Sequence, residues 1–178
     1  MSKRLGSQPA ALVVVDFQER FSSAVENFDI AAERASILAR AAGLLGIKTI
    51  VTEQYPEGLG STVEPVLGAI GDTPRLPKKI FPATRAEGFD LEGARDVIVC
   101  GVEAHVCVLQ TVLDLIDDGA QVFVPVDAVA SRNELDRAVA IDRMSHAGAV
   151  ITTTESVVFE LAGGSGHPAF RELQGLVK

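Results

Sequence analysis

Three reactive side-chain types stand at the ends of apolar runs, far apart along the chain: Asp16, the pair Lys78 and Lys79, and Cys107. A cysteine reacts as its thiolate, a strong nucleophile. A carboxylate can take the thiol proton and return it to a leaving group. An ammonium can hold that carboxylate in place and stabilise anionic sulfur. Together they describe acyl transfer through a thioester, or addition to a carbonyl- or imidate-type carbon. Each also has a plainer reading. Cys107 can be a thiol packed under a turn, Asp16 a helix N-cap, and the lysines solvated charges.

Positioning decides between these readings. Around Cys107 the chain reads strand, turn, helix, strand. Residues 97–100 (VIVC) are small and largely β-branched, which suits a strand buried on both faces. Gly101 breaks the run. From about Ala104, the residues Val108, Val112, Leu115 and Ile116 recur at helical spacing, and Gly119 is a stop. Residues 122–126 form a second strand run, so the whole is a right-handed βαβ unit. Cys107 falls in the first helical turn. Unpaired N–H groups and the helix dipole there predict a lowered thiol pKa. In open α/β sheets, ligands bind at this edge.

The other candidates follow the same logic. Residues 10–15 form an apolar strand, and Asp16 follows directly, with Phe17 and Gln18 beside it as possible substrate contacts. A helix from Asp29 to Gly46 carries an apolar stripe through Ile30, Ala31, Arg34, Ile37, Leu38, Ala41, Leu44 and Leu45. KTIVT (48–52) is the second strand. The Gly/Pro-rich loop after it offers Glu53, Gln54 and Tyr55 to a pocket. Residues 63–70 suit a short helix, and GDTPRLP a turn-rich connection. KKIF (78–81) reads as a third strand ended by Pro82, with Phe81 as a further pocket candidate. Adjacent lysines on a strand face opposite ways, so at most one faces the pocket. Residues 96–100 and 121–126 are the fourth and fifth strands. AVASRNE is a loop, and Asn133 or Ser131 caps the helix that ends at Gly148. Residues 149–152 are the sixth strand, and two more helices close the chain. The alternation predicts an α/β fold: a three-layer α/β/α, doubly wound, six-stranded parallel sheet in one domain over residues 1–178.

Composition narrows the function. A net charge of −8 argues against nucleic-acid and anionic-membrane partners. Apolar stretches are strand-length, too short to span a bilayer. The first run ends at Asp16, short for a secretory signal. Cys100 and Cys107 lack metal spacing and are too few for a disulfide framework, which predicts a reducing, cytoplasmic location. No G-x-G-x-x-G follows the first strand, which disfavours dinucleotide binding.

The segments LVVVDFQERF around Asp16, PKKIFPA around Lys78 and VIVCGVEAHVCVLQTVLDL around Cys107 resemble the isochorismatase-like cysteine hydrolases. The loop TEQYPEGLG and the segment SHAGAVITTTESVVFEL resemble the isochorismatase-domain-containing subgroup. This resemblance implies an Asp–Lys–Cys triad, with Asp16 as general base, Lys78 as orienting cation and Cys107 as nucleophile. Lys78 is preferred to Lys79 because the motif places the lysine three residues before an aromatic, here Phe81. It also implies a cis Val102–Glu103 peptide and an oxyanion hole of the Glu103 and Cys107 backbone N–H groups. His105, two residues before the cysteine, is a candidate for the pocket edge. Nicotinamidases carry a metal-binding Asp-x-His after the second strand. Here that place reads TEQYPEG, so no metal and no cofactor are expected. The implied protein is a hydrolase of a small amide, imide or isochorismate-like substrate, assembled as a homo-oligomer (dimer or tetramer). The alternative is a thiol redox sensor on the same fold, which needs the thiol but not Asp16 or the lysine.

Overall fold

The computed structural model describes residues 4–6 and 8–178; the rest of the N-terminal segment weighed as a secretion signal lies outside the described residues. Seven parallel strands among them form one sheet: β1 (Ala10–Val15), β2 (Lys48–Gln54), β3 (Arg75–Lys78), β4 (Asp96–Val102), β5 (Gln121–Pro125), β6 (Val129–Ala130) and β7 (Val150–Thr152). The order is β3-β2-β1-β4-β5-β7, with β6 paired to β4. Helices are α1 (Phe28–Leu45), α2 (Pro56–Leu59), α3 (Glu64–Ile70), α4 (Leu109–Asp117), α5 (Glu134–Ala147), α6 (Thr154–Ala162) and α7 (Phe170–Leu176).

The continuous apolar runs of β1 and β4 place them at the sheet centre, where both faces are covered. Leu12, Val14, Ile98 and Cys100 face α1, α3 and α6, while Val13, Val15, Val97 and Val99 face α4 and α5. The expected three-layer α/β architecture is therefore present. The strand order reverses direction between β1 and β4, which opens a crevice at their carboxyl ends.

Three expectations are corrected. The sheet has a seventh strand. β5 pairs with β4 only as far as Ile98↔Phe123; β6 then takes its place beside Gly101 and Val102. Two residues are too few for a periodicity, so this segment reads as loop in the sequence. The third strand is Arg75–Lys78 rather than 78–81. Pro77 is tolerated because β3 is an edge strand, and Lys78 ends the strand instead of opening it. In α1, Ile30 and Leu44 are exposed; alanines 31, 32, 35, 39 and 42 make most of the buried face.

Candidate active site

β1 ends at Val15, and Asp16 turns out of the strand with φ +56°. Its backbone N–H still donates to Thr52 O (3.2 Å) on β2. Its carboxylate is fully buried and accepts from Thr52 Oγ1 (2.7 Å) and Lys78 Nζ (2.7 Å). Asp16 is no helix cap, since the short 3-10 turn that follows is entered through Gln18.

Lys78 closes β3 with its ammonium buried. Besides Asp16 it donates to Gln54 Oε1 (2.7 Å) and Ile80 O (3.3 Å). Lys79 points away, its Nζ 5.9 Å from the centre of the Tyr55 ring. Of the two lysines, Lys78 is therefore the one that meets the carboxylate.

Cys107 follows β4. The expected α-helix start is a π-turn, Ala104–Val108, in which Val108 N donates to Glu103 O (3.2 Å) before α4 begins. The Val102–Glu103 peptide is cis. Thr111 ties this turn to the Lys78 loop: its hydroxyl donates to Cys107 O (2.7 Å) and accepts from Ala83 N (2.8 Å). Gly101 lets β4 close on β1, because a Cβ there would sit 2.3 Å from Val15 O, and its φ is +144°.

The three side chains meet. Cys107 lies close enough to Asp16 and Lys78 for both charged groups to act on its thiol. Burial pushes the Asp16 carboxyl above its ordinary pKa, against the lowering pull of Lys78 and Thr52. The Cys107 thiol is pushed up to about 12, by burial first and then by the Asp16 charge, with Lys78 opposing. The lowered thiol pKa expected from the helix start is thus overturned. Desolvation and a neighbouring anion outweigh the backbone dipoles, and the resting thiol keeps its proton.

Beside Cys107 lies a cleft of about 360 Å³. Two sequence candidates beyond the Cys107 turn line it, Gln54 and Phe81. Gln54 Nε2 donates to Lys79 O (3.0 Å), so its amide holds the lysine loop. Other candidates do not line the cleft. Phe17 packs in the core against Phe28. Gln18 is buried and bridges Gln54 and Gly60 through its side-chain amide. Glu53 accepts from Thr62 N and Oγ1. Tyr55 is exposed under Lys79. His105 Nδ1 pairs with Ser131 Oγ at 3.0 Å. A strand's alternation tells which residues share a face, but not which partner awaits them.

Sequence reasoning missed Arg20, Phe21, Leu59 and Val106, and did not single out Arg132; all five line the same cleft. Arg132 arrives on the turn after β6, where its N and Nε both donate to Glu103 Oε2 at 3.0 Å. The ERF stretch after Asp16 was the available signal for Arg20 and Phe21. For Arg132 the signal was the loop from Asp127 to Arg132, which the sequence places among the segments that shape the pocket, without singling out this residue. Among the described residues, no group of three His, Cys, Asp or Glu side chains is placed to hold a metal ion, and no helix is long and apolar enough to cross a membrane.

A doubly wound parallel sheet with these groups at its switch point is the architecture of an isochorismatase-like hydrolase. The chain belongs to the isochorismatase family: a family model described as Isochorismatase domain matches residues 10–156. It is 44% identical over 170 residues to isochorismatase domain-containing protein 2 of Pongo abelii, covering 94% of this chain and 82% of that one. The fold is similar to that of the MAR1 ribonuclease of Caenorhabditis elegans (TM-score 0.92, 42% identity, 98% of this chain and 92% of that one). It is also similar to the YcaC gene product of Escherichia coli, an octameric hydrolase of unknown specificity (TM-score 0.83, 29% identity, 98% and 96% covered).

Proposed function

We propose that this chain is a metal-independent cysteine hydrolase acting on a small amide, imide or isochorismate-like substrate through a covalent Cys107 intermediate. The observation that carries the proposal is the convergence of a buried Lys78–Asp16 pair on the Cys107 thiol at the wall of a cleft. In an amide, Cys107 Sγ attacks the carbonyl carbon while its proton passes to Asp16. Raised basicity suits Asp16 to accept that proton, and Lys78 keeps it oriented. The developing oxyanion is assigned to the backbone N–H groups of Glu103 and Cys107. Asp16 then delivers the proton to the departing amine, leaving a thioester. Water, deprotonated by Asp16, attacks the thioester; the acid leaves and the thiol is re-formed.

A redox-sensor reading needs an accessible, low-pKa thiol. Cys107 is 4% exposed and has the buried Lys78–Asp16 pair beside it, which hydrolysis needs and sensing does not. Both carboxylates at the site, Asp16 and Glu103, are engaged by cationic side chains rather than presented to a metal. Removal of divalent ions with EDTA therefore leaves turnover unchanged. The name of the nematode relative concerns RNA; here the small cleft and net charge of −8 favour a small-molecule substrate. Two free thiols suit a cytoplasmic, reducing compartment, and a homo-oligomer is proposed on the octameric relative.

The test is intact-protein mass spectrometry after incubation with a panel of small amides and aldehydes. A covalent adduct on the wild type, absent from Cys107→Ala and Asp16→Asn, is the expected result. Modification of Cys100 with Cys107 untouched overturns the proposal. The two thiols lie in separate cores on opposite faces of the sheet, so they are readily told apart.

A further inference from the structure

The wall of the cleft beside Cys107 carries a carboxylate that the proposed reaction leaves idle. Glu103 lends its backbone N–H to the assigned oxyanion hole, but it also lines the cleft, and its side chain is only 8% exposed. Its two oxygens are used unequally. Oε2 accepts from Arg132 N and Nε, both at 3.0 Å. Oε1 accepts from no described residue. Nor is Oε1 sealed in the interior: among the described residues, the buried side-chain atoms without a partner are Asp96 Oδ1 and Gln121 Nε2. Oε1 therefore opens to solvent, and the opening that Glu103 lines is the cleft. Gln54, the other lining residue with a side-chain oxygen, already accepts from Lys78 Nζ and donates to Lys79 O.

A ligand that displaces water from a carboxylate oxygen must donate to that oxygen in its turn, or leave a buried anion unsatisfied. We propose that Glu103 is a specificity-determining residue, whose Oε1 accepts a hydrogen bond from an N–H of the substrate. The requirement narrows the substrate range to its amide and imide members, because a vinyl ether offers no N–H. An ether or ester oxygen placed there sets lone pair against lone pair. Arg132 holds the carboxylate through both its backbone and its side chain, so the acceptor is oriented before the substrate arrives. This assignment rests on Cys107 being the nucleophile, and it adds which neighbouring group selects the substrate.

Iodoacetamide and methyl iodoacetate test it. Both are neutral, similar in size and share a leaving group, but only the amide carries N–H donors. The readout is the ratio of their alkylation rates at Cys107, followed by intact mass and peptide mapping, divided by the same ratio for a free thiol in solution. Any change in thiol reactivity common to the two reagents cancels. In the wild type the quotient should exceed one by about tenfold, the size of one charge-assisted hydrogen bond. Glu103→Gln should bring it to one or below. Arg132 N and Nε require an oxygen on their side of residue 103, so the glutamine turns its NH2 to the cleft and presents a donor where an acceptor stood. Glu103→Ala removes the acceptor without supplying a donor; its quotient should lie near one, and it decides the matter if the glutamine variant does not fold. A wild-type quotient of one, or an excess that survives in either variant, overturns the Glu103 assignment and leaves the nucleophile standing. Absence of Cys107 alkylation by both reagents in the wild type sinks the two together.

Discussion

Asp16 is held between opposing influences: burial favours its neutral acid, while Lys78 and Thr52 favour the carboxylate. Burial prevails, so its pKa lies above the ordinary carboxylate range, and a base must be ionised to accept the thiol proton. Activity is therefore expected to fall on the acid side through this raised pKa. The acid limb of kcat/KM should stand at a pH above that of a solvated aspartate. Replacing Lys78 by Met removes the charge that restrains the shift, so any residual activity should show the limb at still higher pH. The same change leaves a buried carboxylate unpaired, which costs about 3–5 kcal/mol near neutral pH. Because Asp16 then titrates far above its unfolded value, the loss should shrink as pH falls and the carboxyl is protonated. Thermal melts of the Lys78→Met protein at several pH values measure this; a deficit that grows toward acid would contradict the buried-pair account. Cys107→Ala should lower turnover by about a thousandfold or more while leaving the melt nearly unchanged. The residue types for this chemistry were visible in the sequence. The direction of the thiol shift was not, because desolvation depends on what packs around the sulfur.

At the scale of elements, the site depends on how closely β1 and β4 approach. Gly101→Ala places a methyl group against Val15 O at a φ that L-residues avoid. The expected result is about 2–4 kcal/mol of destabilisation, together with loss of activity as Asp16 and Cys107 are pushed apart. Calorimetry beside an activity assay checks both. Thr111 joins the π-turn to the lysine loop through two buried hydrogen bonds. Thr111→Val keeps the shape and removes both bonds, leaving Ala83 N without a partner, at a cost of about 1–3 kcal/mol. A variant as stable and active as the wild type would show that the bridge does not position the nucleophile. Long runs such as residues 10–15 and 96–100 announced themselves through buried, β-branched composition. The two-residue β6 and the π-turn carry no periodicity. They exist because a partner strand or a particular backbone bond was available after folding.

For the whole molecule, net charge is −8 and a few large apolar side chains stay exposed. Leu135 and Val139 on α5 and Ile151 on the edge strand β7 expose apolar side chains. With an octameric relative of similar fold, these are the places where a second copy would bury surface. Sedimentation should give a mass that is a multiple of 18.8 kDa. The double change Leu135→Glu and Val139→Glu should shift it downward; a wild-type monomer at micromolar concentration would remove the proposed assembly.

The sequence alone determined the layer architecture, the main strands and the three chemical types at the strand ends. Hydrophobic periodicity and turn residues are local properties, written in neighbouring positions. Only the tertiary structure decided which lysine meets Asp16, that Gln18 and Glu53 are buried among their own partners, and that Arg20 and Arg132 share a wall with Cys107. Those facts depend on distances between residues remote in the chain, and they follow from the packing of one element on another.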